Sequence, residues 1–378
     1  METFLIPRRF VRIKALQNLY AYTIAQIAHK KEAVEQVKND FVFDPFLDAL
    51  DEKAQRATEQ SIAVELCSKA VAAGLPTEAF AYVENKKIEQ SVRGHLCHYL
   101  AALQKEQALL QGGFSQSKES IYIGLLYVLL LLVEWYKLAK QSHDPCKPTD
   151  HLLNSQLAED PLLRELHDNR SWINAIYKNG ISWAKDQDQV KSWFRQFIQA
   201  AEIPKWYRSG PDNGVKLLEY ILEKIIFQEG PINDFLAMAD LYWDEHKRLV
   251  KKLLTRVFML LLTKDFTTFT LLWHHLEEKW TTEAAFYNRL LTIVLENNPL
   301  YEAMIGEKAE KWDHERILLT DKLILKLALA ELLECQEIPL KVSINEYIEI
   351  AKWYGTSKSG SFINGVLEGI LKGLEDKR

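Results

Sequence analysis

Apolar residues recur three and four positions apart along most of the chain, as at Ile13, Leu16, Tyr20 and Ile24 near the N-terminus. This spacing places apolar side chains on one face of an α-helix and predicts amphipathic helices. No run of β-branched residues alternates with polar ones, and no Asn-Gly or Asp-Gly pair separates two such runs. We therefore expect an all-α fold without a sheet.

Helix-breaking residues divide the helical pattern into blocks, and each cluster of them predicts a connection between two helices. The widest change of composition falls near residues 141–150, where we expect a boundary between sub-bundles. The predicted connections are Asp44-Pro45, Gly74-Leu75-Pro76, Gly112-Gly113, residues 144–150, Asp160-Pro161, Ser209-Gly210-Pro211, Gly230-Pro231, Asn298-Pro299 and Ile338-Pro339.

The longest apolar run extends from Ile121 to Val133 and contains 13 residues. A helix needs about 20 predominantly apolar residues to cross a bilayer. The run therefore predicts a buried helix. The N-terminus reaches Arg8 and Arg9 without an apolar signal-peptide region, so we expect a cytoplasmic protein.

Composition and charge narrow the function classes. The chain has 378 residues, with 47 Lys and Arg against 52 Asp and Glu, so a nucleic-acid site has to be local. The four cysteines are widely spaced and form no C-x-x-C pair. This pattern argues against a disulfide scaffold and a zinc ribbon, and it predicts reduced thiols.

Motifs that carry catalysis are missing from the sequence. It contains no G-x-G-x-x-G, G-x-x-x-x-G-K-[ST], G-x-S-x-G or H-E-x-x-H pattern. His95 and His98 flank Cys97, and His274-His275 precedes two glutamates, but further ligands are missing from both neighbourhoods. We expect no enzyme activity, no cofactor and no metal site.

Two basic segments stand out against this background. Residues 7–14 carry four positive charges and no negative one, although the first turn of a helix favours acidic residues. These arginines therefore suit an anionic partner such as single-stranded RNA. The second segment places Arg248, Lys252 and Arg256 one turn apart on one helix face. That stripe is either a solvated face or a phosphate-binding surface.

The two ends of the chain resemble one family. The C-terminal region contains Ile338-Pro339-x-Lys341-Val342-x-Ile344-Asn345-Glu346 and Phe362-Ile363-Asn364-Gly365-Val366-Leu367. The N-terminal region reads Arg8-Arg9-x-x-Arg12-x-x-Ala15-Leu16-Gln17-x-Leu19-Tyr20. These segments resemble the signatures of the NusB family of transcription antitermination factors, in the same order along the chain.

The resemblance implies a core of two three-helix bundles with a large helical insertion after the first helix. It places residues 1–24 and 283–378 in the core and residues 25–282 in the insertion. In place of two arginines of the family pattern, this chain has Phe10 and Lys326, and Lys358 stands at an acidic position of that pattern.

The resemblance also implies binding to a boxA-like element of nascent ribosomal RNA, together with the ribosomal protein NusE, on elongating RNA polymerase. The RNA-binding positions carried over are Arg8, Arg9, Arg12, Lys358, Ser359 and Phe362. The partner-binding positions are Tyr20, Asp321 and Lys322. Replacing Arg8 and Arg12 by alanine is expected to weaken RNA binding with little loss of stability.

Two other functions remain as alternatives. The first is a helical scaffold for protein interactions that has lost RNA binding. The replacement of two family arginines and the net charge of −5 favour this alternative. The second is a NusB-like domain related to ribosomal RNA methyltransferases. That function requires a separate α/β domain with a glycine-rich cofactor loop, and the sequence contains neither.

Overall fold

The computed structural model describes residues 6–43, 52–73, 85–142, 157–200, 214–262, 268–308 and 317–375. Within these ranges the chain forms helices and no strand, which confirms the predicted all-α fold with a large helical insertion. A π-helical turn (Leu222–Ile226) directly follows the helix Gly214–Ile221. The helices are α1 (Arg8–Asn39), α2 (Lys53–Ala73), α3 (Lys86–Ser142), α4 (Pro161–Asp168), α5 (Arg170–Lys178), α6 (Gln187–Ala200), α7 (Gly214–Ile221), α8 (Pro231–Ala239), α9 (Trp243–Leu262), α10 (Thr268–Glu296), α11 (Asn298–Lys308), α12 (Leu319–Glu334), α13 (Leu340–Tyr354) and α14 (Ser359–Glu375).

Four of the predicted connections coincide with helix starts. Asp160 caps α4, because its Oδ1 accepts hydrogen bonds from the backbone N–H groups of Leu162 and Leu163, both at 2.9 Å. Helix α8 begins at Pro231, where the fixed φ of proline suits the first helical position. Helix α11 begins at Asn298, and α13 follows Pro339.

The predicted connection at Gly112-Gly113 is wrong, because both glycines lie inside the continuous helix α3. Gly113 has a packing role instead. A Cβ atom at this position would overlap the side-chain amide of Asn18 on α1, so glycine allows the two helices to approach closely. The predicted connections at 44–45, 74–76, 144–150 and 209–211 lie outside the described residues.

The apolar run from Ile121 to Val133 lies in α3. Among the described helices, α3 alone is long and apolar enough to cross a membrane, and 61% of its most apolar 18-residue window is buried inside the protein. Most of the run is buried, including Leu125, Leu126 and Leu129, as the sequence predicts.

The chain forms two compact units. The first comprises Met1–Phe10 and Ser115–Ala285. Within it, α9 packs against α4, α7 and α8. Its core contains two buried tryptophans whose indole N–H groups are satisfied: Trp183 donates to the backbone carbonyl of Tyr127 at 3.2 Å, and Trp243 donates to Asn233 at 3.0 Å. Such bonds let a large aromatic ring be buried without an orphaned donor.

The second unit comprises Val11–Phe114 and Phe286–Arg378. Helix α12 forms its centre and packs against α11, α13 and α14, and every residue from Leu323 to Leu332 is buried. A second apolar cluster, with Val37, Cys67 and Val92, joins the end of α1 to α2 and the first part of α3. The predicted limits of the family core and the insertion stay a prediction, since compactness does not decide which residues belong to the core.

Candidate nucleic-acid interface

The start of α1 carries exposed positive charge. The helix begins at Arg8, and its first turn contains no acidic residue. The Arg8 side chain is 43% exposed, and its Nε lies 3.8 Å from Oε2 of Glu283. Arg9 beside it is half-buried. The Glu283 side chain is only 13% exposed, so the pair is partly buried, whereas the exposed part of the Arg8 side chain remains accessible to an anionic ligand.

Arg12, one turn further along α1, is buried instead. Its Nε donates to Oε2 of Glu331 at 2.8 Å, and its Nη2 donates to Oε1 at 2.6 Å. Oε1 of Glu331 also accepts from the Ser343 hydroxyl at 2.5 Å, and Oε2 accepts from the Tyr347 hydroxyl at 3.0 Å. This bidentate ion pair joins α1 to α12, and the two hydroxyl groups join α13 to the same carboxylate.

Burial and charge both act on this network. Burial alone would lower the pKa of the Arg12 guanidinium, but its hydrogen bonds to Glu331 and the charges around it raise the pKa above the ordinary value. Burial, followed by the Glu331 charge, raises the pKa of Tyr347 well above its ordinary value. Tyr347 therefore stays protonated and can donate to the carboxylate.

The turn between α13 and α14 and the first turn of α14 contain the other predicted RNA-binding residues. Lys358 is exposed, whereas Ser359 and Phe362 are buried. The Ser359 hydroxyl accepts from the Thr356 N–H at 2.8 Å and donates to Oδ2 of Asp321 at 2.9 Å. These bonds fix the turn that presents Lys358, and the backbone N–H of Phe362 donates to the Lys358 carbonyl at 3.1 Å, so both buried residues hold this lysine in place.

The predicted partner-binding residues also divide into exposed and buried. Tyr20 on α1 is 41% exposed, and the Lys322 ammonium is partly exposed, 3.9 Å from Oε2 of Glu302. Asp321 is buried and holds Ser359. Burial raises the pKa of the Asp321 carboxyl, although the hydrogen bond from Ser359 acts in the opposite direction. The sequence assigns Ser359 to RNA binding and Asp321 to the protein partner, but the two side chains are hydrogen-bonded to each other inside the protein.

Comparison with known proteins identifies this region. Residues 262–372 match the model of the NusB family. The C-terminal part of this chain is a NusB-family domain. The NusB-family domain contains Asp321, Lys322, Lys358, Ser359 and Phe362, whereas Arg8, Arg9, Arg12 and Tyr20 precede it.

Several similar proteins are named transcription antitermination protein NusB. The chain is 41% identical over 96 residues to the transcription antitermination protein NusB of Thermodesulfovibrio yellowstonii, covering 25% of this chain and 64% of the relative. It is 44% identical over 84 residues to that of a Thermotoga species, covering 22% and 59%, and 45% identical over 76 residues to that of Salinibacter ruber, covering 20% and 48%. The chain thus spans about half to just under two thirds of these relatives. No solved structure matches the chain.

The Arg12–Glu331 pair attaches α1 to the NusB-family domain, because Glu331 lies inside the matched residues and Arg12 does not. Sequence reasoning missed Glu331, Ser343 and Tyr347. Glu331 was nonetheless detectable: together with Lys326 it is the only charge between Leu323 and Leu333. A charge inside such an apolar helix requires a buried partner.

The positions that lack the family arginines are also buried. Phe10 packs against the rings of His246 and Trp280. Within the NusB-family domain, the Lys326 ammonium binds Oε1 of Glu302 at 2.5 Å and donates to Asn298 at 2.7 Å. Neither residue adds positive charge to an exposed face.

Of the two histidine pairs, only His95 and His98 have side chains within the described residues, and they belong to no cluster that could hold a metal ion. No group of three or more His, Cys, Asp or Glu side chains in these ranges is placed to hold a metal ion. His95 instead contacts Asp40, the residue that follows α1, with Nε2 2.9 Å from Oδ2. The side chains of His274 and His275 lie outside the described residues.

Proposed function

We propose that this protein is a transcription antitermination factor that binds boxA-like nascent ribosomal RNA together with the ribosomal protein NusE on elongating RNA polymerase. The NusB-family domain and the names of the similar proteins support this function. The observation that carries the proposal is the attachment of α1 to that domain through Arg12 and Glu331, with Arg8 exposed at the start of the same helix.

For RNA, the accessible cations of the predicted set are Arg8, Arg9 and Lys358. Guanidinium groups bind phosphates through two hydrogen bonds and stack on unpaired bases, which suits single-stranded RNA. Arg12, Ser359 and Phe362 are assigned a positioning role, because their side chains are buried. Affinity for RNA is then mainly electrostatic and falls as salt rises.

For the protein partner, Tyr20 forms part of an apolar stripe on α1. Ile24 and Ile27 follow Tyr20 at the spacing of one helix face, and the three side chains are 41%, 43% and 57% exposed. A helix face with such anchors is typical of a surface that a protein partner covers. We assign this stripe to NusE, together with the partly exposed cation Lys322, and we assign Asp321 a positioning role.

The proposed function requires no chemistry from the protein itself. It acts as an adaptor that holds RNA and a ribosomal protein near the polymerase, without a catalytic residue or cofactor. Since nascent ribosomal RNA and the polymerase occupy the bacterial cytoplasm, we propose that compartment for this protein.

The experiment that tests the proposal is a comparison of two double variants of α1. Arg8→Ala with Arg9→Ala removes the proposed contacts. Lys30→Ala with Lys31→Ala removes the same amount of charge from exposed positions further along the helix. In a titration of a boxA-like single-stranded RNA, we expect the arginine variant to bind at least about tenfold more weakly than wild type. The lysine variant should bind nearly as wild type does.

The opposite result would favour the scaffold alternative. If wild type, shown to be folded by circular dichroism, binds no RNA, then the protein does not use its arginines for this purpose. If both double variants lose affinity equally, binding reflects overall charge and not a site at the start of α1.

A further inference from the structure

We infer that Arg248, Lys252 and Arg256 on α9 form a second phosphate-binding surface, which extends the RNA contact of Arg8 and Arg9 into the inserted region. This inference rests on the proposed RNA binding. It assigns a role to a helix that precedes the residues matched by the NusB family model.

The charge distribution of α9 supports this role. Its two acidic residues, Asp244 and Glu245, lie in the first turn, where they complement the helix dipole. From His246 to Lys264 the sequence has no acidic residue and six basic ones. In a chain with a net charge of −5, this helix is therefore a local concentration of positive charge.

The five cations of α9 fall into two groups. Lys247 binds Asp244 at 2.5 Å, and Lys251 binds Glu223 at 2.7 Å, so both are neutralised by neighbouring carboxylates. Within the described ranges, no carboxylate lies within 4 Å of the charged nitrogens of Lys252 or Arg256, and Lys252 is exposed. Lys252 and Arg256 therefore contribute uncompensated charge, and Arg248 is exposed on the same face.

The geometry of this second group matches an extended anion. Arg248, Lys252 and Arg256 are spaced at i, i+4 and i+8, so they share one helix face and span about 12 Å along the axis. The opposite face is buried through Val250, Leu254 and Phe258, which fixes the orientation of the stripe. A row of cations on a rigid helix can contact successive phosphates of one strand.

The stripe belongs to the same compact unit as Arg8 and Arg9. Phe10, next to Arg9, packs against the His246 ring with the centroids 5.9 Å apart, and Arg248 is two residues beyond His246. The start of α1 thus packs against the first turn of α9. One RNA strand bound by Arg8 and Arg9 is therefore near the helix that carries the stripe.

The test uses matched double variants of α9 and a 30-nucleotide single-stranded RNA with a boxA-like element. Lys252→Ala with Arg256→Ala removes two uncompensated charges, and Lys247→Ala with Lys251→Ala removes two neutralised ones from the same helix. Each phosphate contact contributes about 0.7 to the slope of log affinity against log salt. We expect the first variant to have a slope shallower by about 1.4, and about 25-fold weaker binding at 0.1 M salt if affinities converge near 1 M. The second variant should match wild type.

Further variants and a second ligand distinguish failure of this inference from failure of the proposed function. The charge-conserving variant Lys252→Arg with Arg256→Lys should keep the wild-type slope. If Arg8→Ala with Arg9→Ala weakens binding but Lys252→Ala with Arg256→Ala does not, the stripe is not a binding surface and the proposed function stands. If wild type binds no RNA, both fail. If the stripe variant loses binding to phosphatidylserine vesicles and not to RNA, the stripe serves a membrane surface and this inference is overturned.

Discussion

The guanidinium of Arg12 and the carboxylate of Glu331 form a bidentate ion pair with N–O distances of 2.8 and 2.6 Å. Both side chains are buried, being 3% and 0% exposed. The pair connects a helix at the N-terminus to one more than 300 residues away in sequence. It therefore fixes this part of α1 to the NusB-family domain.

Glu331→Ala is expected to destabilise the protein by about 3–5 kcal/mol, because it removes both hydrogen bonds of the buried Arg12 charge and leaves only Glu346, at 3.7 Å, as its counter-ion. Urea unfolding followed by circular dichroism measures the loss. Glu337→Ala is the control, since Glu337 pairs with Arg289 at the surface and should cost about 1 kcal/mol or less. Arg12→Ala should cost nearly as much as Glu331→Ala, and the double variant less than the sum of both. If Arg12→Ala unfolds like wild type, the pair does not hold α1.

This structure changes the expectation for the combined replacement of Arg8 and Arg12. With Arg12 buried, such a variant would lose stability as well as RNA affinity. Arg8 with Arg9 is therefore the informative pair for RNA binding.

Asp321→Asn should make stability less dependent on pH. Burial raises the folded-state pKa of Asp321 above its unfolded value. Its stabilising contribution is therefore complete below the unfolded pKa, and it is lost as pH rises through the folded pKa. Asparagine keeps an acceptor for the Ser359 hydroxyl without the charge. Urea unfolding from pH 4 to 7 should show the variant gaining stability relative to wild type as pH rises. A constant difference across this range would mean that the Asp321 pKa is not raised.

Two neighbouring glycines of α3 should respond to alanine with opposite signs. Gly113→Ala would force the Asn18 amide away from the Tyr287 hydroxyl, to which it donates at 2.8 Å. The overpacking should cost about 1–3 kcal/mol. Gly112→Ala meets open space and should stabilise the helix by about 0.5–1 kcal/mol. Thermal unfolding of both variants measures the difference; equal shifts would argue against close contact between α1 and α3.

Tyr20→Ala should weaken binding of NusE about tenfold, since an aromatic anchor at an interface contributes on the order of 1–2 kcal/mol. Ile62→Ala on α2 is a suitable control, because that side chain is 49% exposed and lies outside the proposed stripe. Isothermal titration calorimetry with purified NusE would compare them. Equal affinities for the two variants would exclude Tyr20 from the interface.

Much of the fold follows from the sequence because helices are encoded locally. The apolar spacing predicts the helices, and proline with a capping residue predicts several helix starts, as at Asp160 and Pro231. Gly112-Gly113 does not end the helix, because Gly113 serves tertiary packing. The neighbouring Asn18 occupies the space that a side chain at position 113 would need. Such a contact between distant residues leaves no local signal.

The candidate site is predictable only in part, for a related reason. Residue type identifies Arg8, Arg9 and Arg12 equally as cations. Burial separates them, and burial depends on Glu331, which lies 319 positions from Arg12. Likewise, Asp321 and Ser359 belong to different sequence motifs, and their hydrogen bond appears only in the folded protein.

The first measurement to make is the binding of purified wild-type protein to a boxA-like single-stranded RNA, with and without NusE, across a salt series. We expect binding that weakens steeply as salt rises and that NusE strengthens. A folded protein that binds this RNA neither alone nor with NusE is not an antitermination factor of the proposed kind.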